Sequence, residues 1–162
     1  MIKQTATVIV VNDSGLVLGV SRKTDHNDFG FPGGKLEDYD KDTIAGLKRE
    51  VREETGLELV DIELINQGEY FEGFYENTFV AKAVGEIQFD NKVETHVVKW
   101  LIPEKVMEGS FGKYNEMVLG LIGIKRRTGA ALVEAKLKWY FDDNKITLQD
   151  GLDKLIDKVI GY

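Results

Sequence analysis

The stretch from Asp42 to Gly56 constrains this chain more than any other. Asp42 is suited to cap a helix, and Ile44, Leu47 and Val51 recur at three- and four-residue steps, the period of an amphipathic helix. Gly56 stands where a left-handed helix end favours glycine. The flanking sequence has a different period. "TATVIVVN" (Thr5 to Asn12) is β-branched and reads as a strand, "DSG" as a turn, and "LVLGVS" (Leu16 to Ser21) as the antiparallel partner of that strand. Strand-like runs return in "ELVDIELI", "YFEGFYENTFVAKAV" and "THVVKWLI". A helix between strands on both sides predicts an α/β fold rather than a bundle.

After a break at Pro103, "NEMVLGLIGIKRR" (Asn115 to Arg127) reads as an amphipathic helix. Thr128 and Gly129 form a second break, and "DDNK" (Asp142 to Lys145) reads as a turn. The tail places Leu148, Leu152, Leu155 and Val159 on one face of a closing helix. We expect a main domain over residues 1–127 and a mainly helical extension over 128–162 packed on it. No internal repeat or Pro/Gly/Ser-rich linker interrupts the sequence.

Composition narrows the possible partners. The chain has 162 residues and no cysteine, which removes disulfides and thiolate metal sites. The net charge of −7 opposes binding to a nucleic-acid polymer, because backbone recognition depends on Lys and Arg. No segment reaches the length of a membrane span, and the N-terminal apolar run is too short and too alternating for a signal peptide. A cytoplasmic location is the default expectation. The oligomeric state is left open, a homodimer included. An acidic protein that handles a phosphate compound needs a cation to offset the repulsion.

The helix itself carries such a requirement. Glu50, Glu53 and Glu54 fall within roughly a third of the helix circumference. Like charges at these spacings destabilise a helix by about 0.2–0.5 kcal/mol per pair, and the negative end of the helix dipole adds to the cost. Arg49 can reach Glu53 four residues on and compensate part of this. A hard cation such as Mg²⁺ suits the remaining oxygen donors. A charged helix face alone is usually only a solvated surface. Here it follows "GFPGGK", in which two glycines allow backbone to approach a ligand, Pro32 stiffens the loop, and Lys35 supplies a mobile phosphate-binding charge.

"GG" followed by "REVREETGL" resembles the Nudix box, G-x5-E-x7-R-E-U-x-E-E-x-G-U with U aliphatic. Arg49, Glu50, Val51, Glu53, Glu54, Gly56 and Leu57 match the second half at every fixed position. Counting from Gly34, the first acidic position falls on Asp40 instead of Glu, and the interval to Arg49 is one residue longer, a single insertion in the loop. In the family that acidic position is mainly structural.

The resemblance, which extends over roughly residues 1–127, implies an α/β/α sandwich of the Nudix type, with a mixed sheet between helices. It also implies Mg²⁺- or Mn²⁺-dependent hydrolysis of a nucleoside diphosphate linked to another group. On the matching positions, Glu50, Glu53 and Glu54 become metal and base carboxylates, the carbonyl of Gly33 or Gly34 a further ligand, and Arg49 the orienting residue. Glu94, six residues before Trp100, resembles a MutT-type glutamate that reaches the metal site. Asn115 resembles a purine-reading asparagine, with helix N-capping as its structural alternative. Arg22 resembles a phosphate-contacting arginine, and Phe74 or Tyr75 is a candidate for stacking on a base. His26 borders the expected pocket, where a lone loop histidine is usually only solvent-exposed.

Glu94 and Asn115 favour a MutT-like nucleoside triphosphate pyrophosphohydrolase, with an oxidised dNTP within that class. ADP-ribose, dinucleoside polyphosphates and a non-catalytic nucleotide-binding module are the alternatives. Phe71 stands where ADP-sugar members tend to have proline, and Tyr70 and Tyr75 are out of register with the dinucleoside-polyphosphate tyrosine. A degenerate module would be expected to lack one of the three glutamates, and this sequence keeps all three.

Overall fold

The computed structural model describes residues 1–88, 96–145, 147, 149, 150 and 153. They form two compact units, Met1–Arg126 and Arg127–Tyr162.

The first unit holds two sheets. In the larger, β1 (Lys3–Val10) runs parallel to β6 (Phe74–Val84) and antiparallel to β4 (Gly33–Lys35), and β5 (Glu58–Phe71) pairs antiparallel with β6. The order is β4-β1-β6-β5, a mixed sheet as expected. The smaller sheet places β2 (Val17–Ser21) between β3 (Phe29–Gly30) and β7 (Val98–Leu101), all antiparallel.

The expected hairpin between the first two strands does not form. They meet in a single bridge, Val11 to Val17, and β2 pairs with β7 from Val17–Leu101 to Val20–Val98. All five residues of β2 are buried, which suits the centre of a sheet better than the edge of a hairpin. "YFEGFY" does not form one strand either. Glu72 and Gly73 turn the chain between Phe71 and Phe74, which pair across the hairpin.

Helix α1 (Thr43–Thr55) has the predicted ends. The Asp42 side chain accepts from the Ala45 N–H, and Gly56 adopts φ 78° and donates to Arg52 O. Its buried face is Gly46, Leu47, Val51 and Thr55, while Ile44 remains exposed. Strand side chains alternate between faces. Ala6, Val8 and Val10 of β1 therefore join Phe79 and Ala81 of β6 in the core that receives Leu47 and Val51. Thr5, Thr7, Glu76 and Thr78 point to the opposite face.

Pro103 starts a helix rather than only ending a strand. It is the first residue of α2 (Pro103–Met107), where its missing N–H is no loss. Helix α3 spans Gly112–Leu121, so it begins before and ends before the expected Asn115–Arg127.

In the second unit, α4 (Gly129–Asn144) fills a stretch left unassigned by the sequence and contains no buried residue. Asp142 to Asn144 form its last turn, and Lys145 ends it at φ 51°; "DDNK" is a helix end rather than a separate turn. Leu148, Leu152, Leu155 and Val159 lie outside the described residues. Among the described residues, no helix is long and apolar enough to cross a membrane.

Candidate active site

Arg49 organises the exposed face of α1. Its guanidinium donates to both Asp40 oxygens at 2.8 and 2.9 Å, to Glu50 at 3.0 Å, to Glu53 at 3.3 Å and to the Lys35 carbonyl at 3.3 Å. The extra residue in the loop is thus absorbed, and Asp40 still reaches the helix. The hydrogen bonds from Arg49, followed by the Glu37 N–H, hold the Asp40 carboxyl down at about 2. Burial pushes the Glu50 carboxyl up against the lowering pull of Arg49, and the charges of Glu53 and Asp40 add to the rise.

The glycines bring the loop against these carboxylates. Gly33 has φ 147° and donates its N–H to Glu54 Oε1 at 2.7 Å. A side chain at Gly33 would meet Ala6 O at 2.1 Å, and one at Gly34 would meet the Glu50 carboxylate at 2.7 Å. At the end of α1, the His96 ring donates from Nε2 to the Glu54 carbonyl at 2.8 Å, satisfying an open acceptor of the last turn.

Two cavities adjoin at Ser21, Arg22 and Glu54, which line both. One, of about 450 Å³, is a polar cleft that adds Lys23, Glu50 and His96. The other, of about 390 Å³, is aromatic and is lined also by Gly33, Gly34 and Lys35. Its walls include Phe71, which meets Phe111 edge-on at 5.2 Å and Tyr114 at 5.5 Å. Arg22 lies 5.5 Å from the Phe111 ring centre and Lys35 5.6 Å from that of Phe74, so both cations stand at the aromatic rim.

Glu76 and its threonine neighbours belong to the lining of the aromatic cavity. Glu76 is 5% exposed and accepts from Thr5 and, at 2.7 Å, from Thr7. Burial pushes its carboxyl up, while the two hydroxyls act in the opposite direction. Thr7 contacts Thr78 at 3.4 Å, Thr78 contacts the Tyr114 hydroxyl at 2.5 Å, and Asn66 donates to that hydroxyl at 3.4 Å. The alternation of "FYENTF" could have signalled this row, because it places Phe74, Glu76 and Thr78 on one face. Sequence reasoning passed over Glu76, and it also assigned no role to His96, Phe111 or Tyr114.

The predicted residues divide between the two cavities. Arg22, Gly34, Lys35, Glu54 and Asn115 line the aromatic one, and Glu50 lines the polar cleft. Glu53 lines neither of these two, and its side chain is 54% exposed. Phe74 lines the aromatic cavity and Tyr75 does not; His26 is exposed and lines neither. Asn115 is not a helix cap. It lies inside α3, is 4% exposed, and its amide donates to Val106 O at 2.9 Å, tying α3 to α2. Glu94 lies outside the described residues.

Among the described residues, no three Asp, Glu, His or Cys side chains converge closely enough to hold a metal ion. Glu54 is drawn to the Gly33 N–H and Glu50 to Arg49. The chemistry of the donor set nevertheless fits a hard divalent cation: carboxylates on one helix face, beside a Gly34 backbone that lacks the side chain which would crowd Glu50.

The NUDIX domain model matches residues 1–118. A comparison with curated protein sequences gives no match. Solved structures do match. A MutT from the pair Aliivibrio salmonicida and Vibrio cholerae is 19% identical, with 75% of this chain and 98% of that one covered at a TM-score of 0.60. The MutT protein from Bacillus halodurans is 22% identical, covering 77% and 85% at 0.59. An ADP-ribose pyrophosphatase from Streptococcus suis is 17% identical, covering 75% and 89% at 0.60. At these identities the structural likeness carries the fold alone. The domain match spans the glycine loop, the glutamate helix and every β-strand among the described residues, and on that ground the chain belongs to the Nudix family.

Proposed function

We propose that this Nudix hydrolase is a nucleoside triphosphate pyrophosphohydrolase that releases a nucleoside monophosphate and pyrophosphate. The observation that carries this reading is the junction of the two cavities at Glu54 and Arg22. A planar base fits among Phe71, Phe74, Phe111 and Tyr114, and the phosphates then extend past Lys35 and Arg22 toward Glu50 and Glu54.

Nudix hydrolases generally use divalent metal ions. Glu50, Glu53, Glu54 and the Gly34 carbonyl are the groups that would hold Mg²⁺ or Mn²⁺ here, and its chemistry is neutralisation of phosphate charge and acidification of water. Arg22 and Lys35 bind phosphate oxygens as cations at the aromatic rim. Arg49 fixes Glu50 and Glu53 against their mutual repulsion, and Asp40 fixes Arg49. Glu53 is exposed enough to accept a proton from an attacking water, and Glu94 is the second candidate for that step. Asn115 retains an amide oxygen and a second N–H for a purine edge after its bond to Val106.

The test is a nucleotide panel with Mg²⁺, scored for pyrophosphate against phosphate. Pyrophosphate and a monophosphate from a triphosphate support the reading. Turnover confined to ADP-ribose or to dinucleoside polyphosphates moves the protein to that substrate class. Binding without any turnover makes it a sensor module.

A further inference from the structure

Glu76 has no part in the phosphate chemistry, yet it is the most deeply buried carboxylate among the residues that line the aromatic cavity. An ionised carboxylate placed among aromatic rings is costly unless its lone pairs find donors. The surrounding hydroxyls supply some of them. Thr7 gives its hydrogen to Glu76, so the contact with Thr78 at 3.4 Å is satisfied when Thr78 donates to Thr7. Thr78 then accepts from Tyr114, and Tyr114 accepts from Asn66. The relay thus runs in one direction and ends on the carboxylate.

Thr5 and Thr7 use one acceptor position on each Glu76 oxygen. A carboxylate has about four such positions. Glu76 lines the cavity, and in its ionised form the remaining capacity of its two adjacent oxygens is acceptor capacity alone. The complementary ligand edge presents two adjacent N–H donors. Among the common bases, guanine alone presents such a pair, from N1 and the 2-amino group. Adenine and cytosine each set a ring-nitrogen acceptor beside their amino donor, and uracil flanks its single donor with two carbonyls.

We propose that Glu76 is the specificity-determining residue of this pocket and selects a guanine-type edge, with Thr5 and Thr7 holding its carboxylate in place. This rests on the reading of the aromatic cavity as the base site. It leaves Asn115 as an auxiliary contact at another part of the wall.

The experiment measures kcat/KM for GTP, ATP and CTP with Mg²⁺, and separately measures binding of guanosine and adenosine by calorimetry in EDTA. The variants are Glu76→Gln and Thr7→Val. Wild type should prefer GTP by about tenfold or more, the discrimination of a good bidentate contact. Glu76→Gln presents one donor and one acceptor, so it should lose the guanine preference and shift toward ATP. Thr7→Val should narrow the preference while keeping its order, which preserves the test if the glutamine variant folds poorly.

Equal loss toward all three nucleotides in Glu76→Gln would mean that the carboxylate holds the ribose, and would overturn the selection. An unchanged GTP:ATP ratio in a folded Glu76→Gln would also overturn it, without touching the pyrophosphohydrolase reading. Guanosine binding that Glu76→Gln abolishes, with none of the three triphosphates turned over by wild type, supports the selection and removes the triphosphate pyrophosphohydrolase reading instead.

Discussion

The two faces of the larger sheet are built from the same strands and serve different ends. On the α1 face, Ala6, Val8, Val10, Phe79 and Ala81 alternate inward and pack on Leu47 and Val51. On the opposite face, the intervening positions carry Thr5, Thr7, Glu76 and Thr78. The first face is buried and apolar; on the second, Thr5 and Thr7 are only half-buried and line the cavity with Glu76. Apolar burial contributes roughly 1.5–3 kcal/mol per large side chain, whereas a satisfied hydrogen bond contributes only about 0.5–1.5 kcal/mol net. The polar face therefore adds less to folding than the apolar one. Its polar composition is compatible with the guanine-type ligand proposed for this cavity.

The largest effect should come from breaking the apolar face. Leu47 has no solvent exposure, and Leu47→Ala should cost about 2–5 kcal/mol of stability. The substrate ranking of the protein that remains folded should not change. Denaturant unfolding beside a nucleotide panel checks this; a changed ranking would show that the two faces are coupled.

Glu54→Gln should act in the opposite way. Glutamine still accepts from the Gly33 N–H, so the loop stays docked. Turnover should nevertheless fall by about 10²-fold or more through loss of charge at the reaction centre. The check is kcat with Mg²⁺ together with a melting curve, and near-wild-type turnover would remove Glu54 from the metal face.

Tyr114→Phe tests the hydrogen-bonded relay directly. It removes the hydroxyl between Thr78 and Asn66 while keeping the ring against Phe71. A loss of about 0.5–1.5 kcal/mol is expected from the missing hydrogen bonds. Guanosine affinity should weaken with it, measured by calorimetry in EDTA.

The smallest effect, from Asp40, should appear only in the pH profile. Its carboxyl is held down at about 2, below the ordinary 3.8, by the hydrogen bonds from Arg49. A lowered carboxyl stabilises the fold above its unfolded pKa, and that contribution fades as pH falls through the folded value. The melting curves of wild type and Asp40→Asn should thus differ at neutral pH, approach each other below about pH 4, and coincide once the carboxyl is protonated. Parallel curves through that window would mean that the Asp40–Arg49 pair contributes nothing to stability.

These expectations rest on features of unequal visibility. The α1 segment was legible in detail, down to the Asp42 cap, the Gly56 end and the Arg49–Glu53 contact at 3.3 Å, because helix chemistry is local and its period is short. The pairing of β2 was not. Its sequence fits a hairpin with β1, but burial of all five residues placed it between β3 and β7, and such partners are chosen by long-range contacts. Asn115 illustrates a third case. Its sequence position suggested either a purine-reading residue or a helix cap; packing of α3 on α2 buried it, gave its amide to Val106 and removed the cap alternative.

The sequence by itself determined the family, the three-glutamate face and the loop glycines, because each is encoded in residues a few positions apart. Only the tertiary structure decided that Glu76 is buried. Thr5, Thr7, Phe111 and Tyr114, which line the same cavity, come from β1 and from the start of α3, distant in the chain. Alternation along β6 tells which side Glu76 takes, but not whether that side meets water or aromatic rings. That depends on what packs over the sheet, and no local period records it.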